Sequence, residues 1–535
     1  MAENKDSSFA SPPAAIQARR QLDDARRFLD TGKFSEAQDV TREILGQHPD
    51  YVAALTTLGQ AYLAEQNFDA ALPCFTRASM LCADEPSILT WLAEVYYQLG
   101  SSDIAIPTAK KALTLEPGKS VAHDAHLLLG RIYEHQGDYD SAIVHLTDAQ
   151  SMADGSLDAI LLLGVCYLET GDAKKATAAF SAVLKGGVGA LEHAETLYNL
   201  SQIANPALAK KLLPDLKVLE ADAPSFNMED DELRFSAHLN FARASLLERL
   251  GQPKDAWEAL EAANAPFDKI YSEFYQHLRG SDDYTIERAA GWIYAGPPMV
   301  EAGDDLPLSL FILGSSRSGK TTLERLVSSL KGVESGHEHE LVQKSACETA
   351  TSNGFLPLNY PGQLPTAMHR QFTKIYMRNI AARGQGTKVL TCTHPGLIPD
   401  LGRIAETVPN LRVVFVRRDS SDTAFRIFGK VYPEGTNPFA YNVASIQEHL
   451  EGYGKLVEAW SEALEGITMQ VTYEDMVSDP QRTLELVAEF CGLDASKAKA
   501  SKLVDDRDCA KPYLDHLENA QQNIVVPLSG WASPE

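Results

Sequence analysis

Two hydrophobic patterns divide this chain. Through the first third, small and large apolar residues recur with helical spacing and a longer period of 34 residues. Leu58-Gly59, Tyr62, Ala71, Phe75 and Ala78 set the register. One period earlier the same roles fall to Phe28, Ala37, Ile44 and Pro49, and one period later to Leu92-Ala93, Tyr96, Ala105, Ala112 and Pro117. After an insertion of three residues the pattern returns as Leu129-Gly130, Tyr133, Ala142, Leu146 and Ala149, then as Leu163-Gly164, Tyr167, Ala176, Phe180 and Val183. The second half is different. Short apolar runs, at 310–313, 388–393, 411–416 and 467–471, alternate with helical patterns at 320–327, 365–384, 397–407, 443–465 and 480–490. Short buried strands alternating with helices predict a mostly parallel sheet with ligands at the carboxyl ends of its strands.

The period and its residue types are those of a tetratricopeptide array. Small residues let the two helices of each unit approach closely, and aromatic residues fill the gaps between units. Prolines such as Pro49 and Pro117 stop the second helix. No unit buries its apolar face alone, so the stack shares one core. The expected layout is an unstructured lead-in over 1–15 and an all-α tetratricopeptide solenoid over 16–187. Degenerate repeats and a helical connector follow over 188–300, with a helix at 267–278 and a Gly/Pro junction ending at Gly296-Pro-Pro298. An α/β domain occupies 301–535. Arrays of this kind bind proteins or peptides or hold another domain in place, and the sequence names no ligand for this one.

Composition narrows the function classes. A net charge of −25 over 535 residues argues against nucleic acid and anionic membranes as general partners. An anion site must therefore be a local concentration of Arg and Lys. Seven cysteines without close pairing point to free thiols and a reducing compartment. With no secretory-type apolar core at the N-terminus and no run of transmembrane length, the expected location is the cytoplasm, without membrane insertion.

Two stretches carry candidate chemistry. Gly314 to Thr321 satisfies G-x-x-x-x-G-K-[ST] between a buried strand and a helix, a context that aims backbone N–H groups and a positive helix end at a phosphate. Far along the chain, Arg417, Arg418, Arg426 and Lys430 follow the apolar run at 411–416 in an otherwise acidic protein. Arginines at a strand end suit bidentate phosphate recognition. His337 and His339 flank Glu338 and admit an acid–base or substrate role; further metal-ligand spacing is lacking, and His394 is a lone case.

The two stretches together resemble sulfotransferases that use 3′-phosphoadenosine 5′-phosphosulfate (PAPS), in particular bacterial members with N-terminal tetratricopeptide repeats. Leu313-Gly-Ser-Ser-Arg-Ser-Gly-Lys-Thr-Thr-Leu-Glu324 is similar to their first signature, and Arg417-Arg-Asp-Ser-Ser-Asp422 to their second. Val471-Thr-Tyr-Glu-Asp-Met-Val-Ser-Asp-Pro480, running to Phe490-Cys-Gly-Leu493, looks like a third. The resemblance implies a P-loop-like fold in which Gly314, Arg317, Ser318, Gly319, Lys320, Thr321 and Thr322 hold the 5′-phosphosulfate. Arg418 would bind the 3′-phosphate, with Arg426 standing where the family has a second, serine ligand. It implies Glu338 as general base, with Glu340 as competitor, and Arg317 and Lys320 as cations at the transferred group. The acceptor would be a hydroxyl. Departures are Lys320 for Thr, Ser316 and Ser420 for Pro, and Cys392-Thr-His-Pro395 where the family has Asp-Lys-x-Pro.

Two other classes compete. A P-loop ATP-dependent kinase or NTPase fits the loop but wants an acid at a neighbouring strand end for Mg²⁺. The run at 388–393 ends without one, and the run at 411–416 leads into two arginines. A non-catalytic repeat scaffold with a nucleotide-binding domain is the third.

Overall fold

The computed structural model describes residues 12–153, 156–221, 229–298, 306–382, 386–432, 435–496 and 498–522. The chain divides into two compact units, Met1–Gly189 and Ala190–Glu535.

The first unit is a solenoid of helical hairpins: α1 (Pro12–Asp30) with α2 (Phe34–Gln47), α3 (Val52–Ala64) with α4 (Phe68–Leu81), and α5 (Pro86–Gln98) with α6 (Ser102–Thr114). The hairpins α7 (Lys119–His135) with α8 (Tyr139–Met152), and α9 (Leu157–Glu169) with α10 (Ala173–Lys185), continue it. The helix α1 starts at Pro12, inside the stretch expected to be unstructured; residues 1–11 lie outside the described residues. The repeat has a steric cause. A Cβ on Gly59 would sit 2.6 Å from Phe75 Cζ, and one on Gly164 would sit 2.6 Å from Phe180 Cε1. Each glycine thus admits the large residue sixteen positions on, and Phe75, Leu146 and Phe180 are completely buried. Capping repeats as well: Asn67, Asp138 and Asp172 each accept a hydrogen bond from the amide three residues on, at the start of the second helix.

The second unit opens with α11 (Ala190–Ile203), α12 (Pro206–Ala221), α13 (Glu229–Arg249) and α14 (Pro253–Ala290). The last of these corrects the expected short helix at 267–278. It passes through Pro266 and continues to Ala290 without a break. A proline inside a helix loses one backbone bond, and here ring packing offsets the loss. Phe267 and Tyr271 lie 5.0 and 5.4 Å from the Tyr441 ring, and Tyr275 lies 6.3 Å from Phe439.

Among the described residues, five strands form one parallel sheet: β1 (Leu308–Leu313), β2 (Val333–Glu334), β3 (Val389–Cys392), β4 (Leu411–Arg417) and β5 (Thr468–Thr472). Their order is β2-β3-β1-β4-β5. The helices between them are α15 (Lys320–Val327), α16 (Leu341–Ser352), α17 (His369–Ala381), α18 (Leu401–Thr407), α19 (Ser420–Phe428) and α20 (Val443–Ala463). After β5 come α21 (Tyr473–Ser478), α22 (Pro480–Phe490) and α23 (Leu514–Gln522). The central strand is apolar on both faces because both are covered. Phe311 and Leu313 enter a core with Phe372, Tyr376 and Trp460, while Leu310 and Ile312 face Leu323, Leu326 and Val487. The two-residue β2 is too short to read from periodicity. The parallel arrangement brings the ends of β1, β3, β4 and β5 to one edge of the sheet.

The packing at Gly164 yields a test. Gly164→Val forces Phe180 out of its position and should cost about 1–3 kcal/mol, seen as a lower urea midpoint for the repeat array. An unchanged midpoint would show that the hairpin can open to admit the side chain.

Candidate active site

The loop between β1 and α15 is built around two positions without room for a side chain. A Cβ on Gly314 would fall 2.4 Å from Ser318 Oγ and 2.6 Å from the Val416 carbonyl, so the loop lies directly against the end of β4. At Gly319, the N-cap of α15, φ is +101°, and a Cβ there would meet Tyr473 at 2.7 Å. Arg317 also takes a left-handed conformation, φ +65°, and its side chain is exposed. Ser318 is buried with its hydroxyl unpartnered, Thr321 is exposed and Thr322 half-buried. The Ser316 hydroxyl pairs with that of Tyr432 at 2.8 Å.

Lys320 folds back to donate from Nζ to the Gly314 carbonyl at 2.8 Å. Burial pulls its pKa down to about 8, against the opposing charge of Glu338. Glu338 is itself exposed. His394, at the end of β3, joins this cluster: burial lowers its pKa, Glu338 and Glu340 oppose that, and Lys320 adds to it. Its Nδ1 accepts from the Gly396 amide at 3.1 Å, and its Nε2 lies 3.3 Å from Gln343 Nε2. Sequence reasoning gave His394 no role; only the adjacency of β1 and β3 shows that it stands near Lys320 and Glu338.

A second unread residue is Glu324. It is fully buried on α15, and its Oε1 accepts from the His337 amide at 3.0 Å and from Thr391 Oγ1 at 2.5 Å. Its Oε2 lies 3.1 Å from His337 Nδ1. Burial pushes the carboxyl up, but the His337 imidazole and these hydrogen bonds outweigh it and hold the carboxyl below the usual range. Glu324 thereby ties α15 to β3 and to the segment carrying Glu338. That segment is a turn in which His337 takes φ +49°, so His337 and His339 do not share a strand face. His337 turns to Glu324, and His339 is buried, its Nδ1 accepting from the Leu341 amide at 3.4 Å.

The arginine cluster splits. Arg417 is exposed and lies 3.5 Å from Glu458. Lys430 lies over the Tyr432 ring at 5.2 Å. Arg418 and Arg426 converge on one carboxylate, that of Asp506. Arg418 Nη2 donates to the Asp506 carbonyl at 2.5 Å and to its Oδ2 at 3.2 Å. Arg426 donates to the same carboxylate from Nε at 3.0 Å and from Nη2 at 2.5 Å. Glu248 is 3.4 Å from Arg426 Nη1. Burial lowers the Arg426 pKa, but these carboxylates dominate and raise it well above its ordinary value. The Arg418 side chain is 5% exposed, its guanidinium lies 4.3 Å from the centre of the Tyr473 ring, and its Nη1 is 3.4 Å from the Arg317 carbonyl. Its Nε is buried without a partner.

The Arg-Arg-Asp-x-x-Asp spacing now has a mechanical meaning. Asp419 caps α19 by accepting from the Asp422 amide at 2.9 Å. Asp422, on the first turn, accepts from the amides of Asp508 and Ala510 at 2.8 Å each, fixing the segment that carries Asp506. Glu474 accepts from the Asp419 amide at 3.0 Å, so the Tyr-Glu pair after β5 holds both Arg418 and the start of α19. The sequence offered no sign of Asp506, which lies eighty residues beyond Arg426.

The model of the "Sulfotransferase family" matches residues 307–497, and models of the "Tetratricopeptide repeat" match 28–86, 91–156 and 135–197. The chain joins a tetratricopeptide-repeat array to a sulfotransferase-family domain. An uncharacterized protein of Aquifex aeolicus is 23% identical over 276 residues, 48% of this chain and 35% of that protein. The BBSome complex member bbs-4 of Caenorhabditis elegans is 29% identical over 110 residues, 20% of this chain and 24% of that protein. The chain thus spans about a third or less of the curated relatives it matches. Among solved structures, MamA is 22% identical, covering 32% of this chain and 91% of its own, with a TM-score of 0.28. The pilus biogenesis factor PilW is 16% identical, covering 42% and 98%, with a TM-score of 0.36.

The buried carboxylate of the sulfotransferase-family domain carries a pH signature. The folded pKa of Glu324 lies below its unfolded value near 4.3, so its stabilisation is complete above that range and fades as pH falls through the folded value. Glu324→Gln should lose about 1.5–3 kcal/mol at pH 7. Its urea midpoint should approach that of the wild type as pH falls below 4. Parallel profiles for the two proteins would refute the assignment.

Proposed function

We propose that the α/β unit transfers a sulfuryl group from PAPS to an acceptor hydroxyl, and that the repeat array recruits the acceptor or a protein or peptide partner. The observation that carries this reading is the pairing of a loop with two positions that admit no side chain, Gly314 and Gly319, with two converging arginines, Arg418 just past the adjacent strand and Arg426 on the helix that follows it, within a domain of the sulfotransferase family. A kinase is less well supported, since neither strand flanking β1 runs directly into an acid that could place Mg²⁺: β3 leads into Thr393 and His394, and β4 ends in Arg417 followed by Arg418. Residues present suit the donor. The loop amides at 318–322 and the cations Arg317 and Lys320 match a 5′-phosphosulfate, and the pocket of Arg418 and Arg426 already seats one anion, the Asp506 carboxylate.

The donor supplies an activated sulfuryl group on a phosphate leaving group. Lys320 would hold the leaving phosphate in exchange for the Gly314 carbonyl, and anionic charge there would raise its lowered pKa. Arg317, exposed at the loop tip, would neutralise charge on the transferred group. Glu338 takes the acceptor hydroxyl's proton as the new oxygen–sulfur bond forms. His394 shares the electrostatic field of Lys320 and Glu338. Arg418 and Arg426 would hold the 3′-phosphate in place of Asp506.

Thermal stabilisation distinguishes the readings, because a ligand of the folded state raises its midpoint by mass action. 3′-Phosphoadenosine 5′-phosphate should stabilise the protein and ATP with Mg²⁺ should not; the reverse result would sink the sulfotransferase proposal. Arg418→Ala should weaken the bisphosphate at least about tenfold, while Asp506→Asn, which frees the arginine pair, should tighten it by about tenfold, or 1.4 kcal/mol. Weaker binding by Asp506→Asn would mean that Asp506 holds the pocket together instead of occupying it. Given turnover of an acceptor, Glu338→Gln should slow it by about 10²–10⁴ with bisphosphate affinity retained; full activity would move the base to His394.

A further inference from the structure

The repeat array holds a side-chain cluster that its architecture does not explain. Within the hairpin of α7 and α8, His126 and His145 point their Nδ1 atoms at each other across 3.0 Å. Asp148, one turn beyond His145 on α8, places Oδ2 3.7 Å from His126 Nδ1. The three ligand atoms all lie within 4.8 Å of one another. A tetrahedral ion with bonds of about 2.0–2.1 Å holds its ligands about 3.3 Å apart, and the observed separations fall on either side of that distance.

The repeat template does not ask for these residues. One unit later the equivalent positions are Ile160, Ala179 and Ala182, and one unit earlier they are Leu89, Thr108 and Lys111. The template does supply a support: the Tyr133 ring stacks on His145 at 5.6 Å and 3°, which fixes the plane of that imidazole. His126 is largely buried, its side chain 13% exposed, while Asp148 is 51% exposed, so the cluster is rigid on one side and open to solvent on the other. Lys110, whose ammonium lies 5.4 Å from the Tyr133 ring centre, opposes a cation here, and Asp148 and Asp138 counter it.

We propose that His126 Nδ1, His145 Nδ1 and one carboxylate oxygen of Asp148 bind a divalent transition ion, zinc by the chemistry of the donors, with water in the fourth position. Two imidazoles and a carboxylate form a set that zinc accepts, whereas magnesium and calcium favour oxygen alone. The ion staples the two helices of one repeat and leaves an open coordination position on the solvent side.

The test uses the full chain, freed of metal by chelator and dialysis. Cobalt(II) should bind with one equivalent giving the visible bands of tetrahedral coordination, and zinc should displace it and raise the thermal midpoint. The double variant His126→Gln with His145→Gln should lose those bands. Asp148→Asn, on an exposed side chain, should fold normally and bind zinc at least about tenfold more weakly. Wild-type protein that shows no cobalt bands would overturn the proposal, leaving only a hydrogen bond between two neutral imidazoles. Bands that persist in the double variant, or unchanged zinc affinity in Asp148→Asn, would overturn it equally.

Discussion

Everything at the candidate site depends on the close approach of Gly314 to the end of β4. Because a Cβ on Gly314 would strike the Val416 carbonyl, the loop after β1 and the end of β4 are held against each other by backbone. The parallel register of β1 with β4, Leu313 opposite Phe415, makes that approach automatic. Hydrophobic burial on both faces of β1 supplies the driving force, and the glycine lets the loop that carries Arg317 and Lys320 close onto the end of β4.

Charge around that contact is arranged by carboxylates. Glu324 secures the turn that presents Glu338, Asp419 caps the helix bearing Arg426, and Asp422 anchors the strand of chain that delivers Asp506. Buried arginines must be paired to be tolerated. The Asp506 carboxylate meets that need for Arg418 and Arg426 together, with Asp422 beside the first and Glu248 beside the second.

The repeat array obeys a simpler rule. At Gly59, Gly130 and Gly164 the glycine of the first helix faces a large residue sixteen positions on, in the second helix of the same hairpin. Departures from the template stand out against such regularity, which is why His126, His145 and Asp148 are informative where the same residues in an irregular fold would not be.

Local periodicity and short contiguous motifs in the sequence are enough to read the repeat register, the parallel α/β class and the glycine loop after β1. The sequence also located Arg418 and Arg426, since both follow a readable strand. It erred at Pro266, where ring packing from 439–441 overrides a local breaker. Only the tertiary structure decided that those two arginines share Asp506, that Glu324 holds His337, and that His394 stands beside Lys320. Each of these is a contact between residues far apart in the chain, made by strand order, and no spacing along the sequence encodes it.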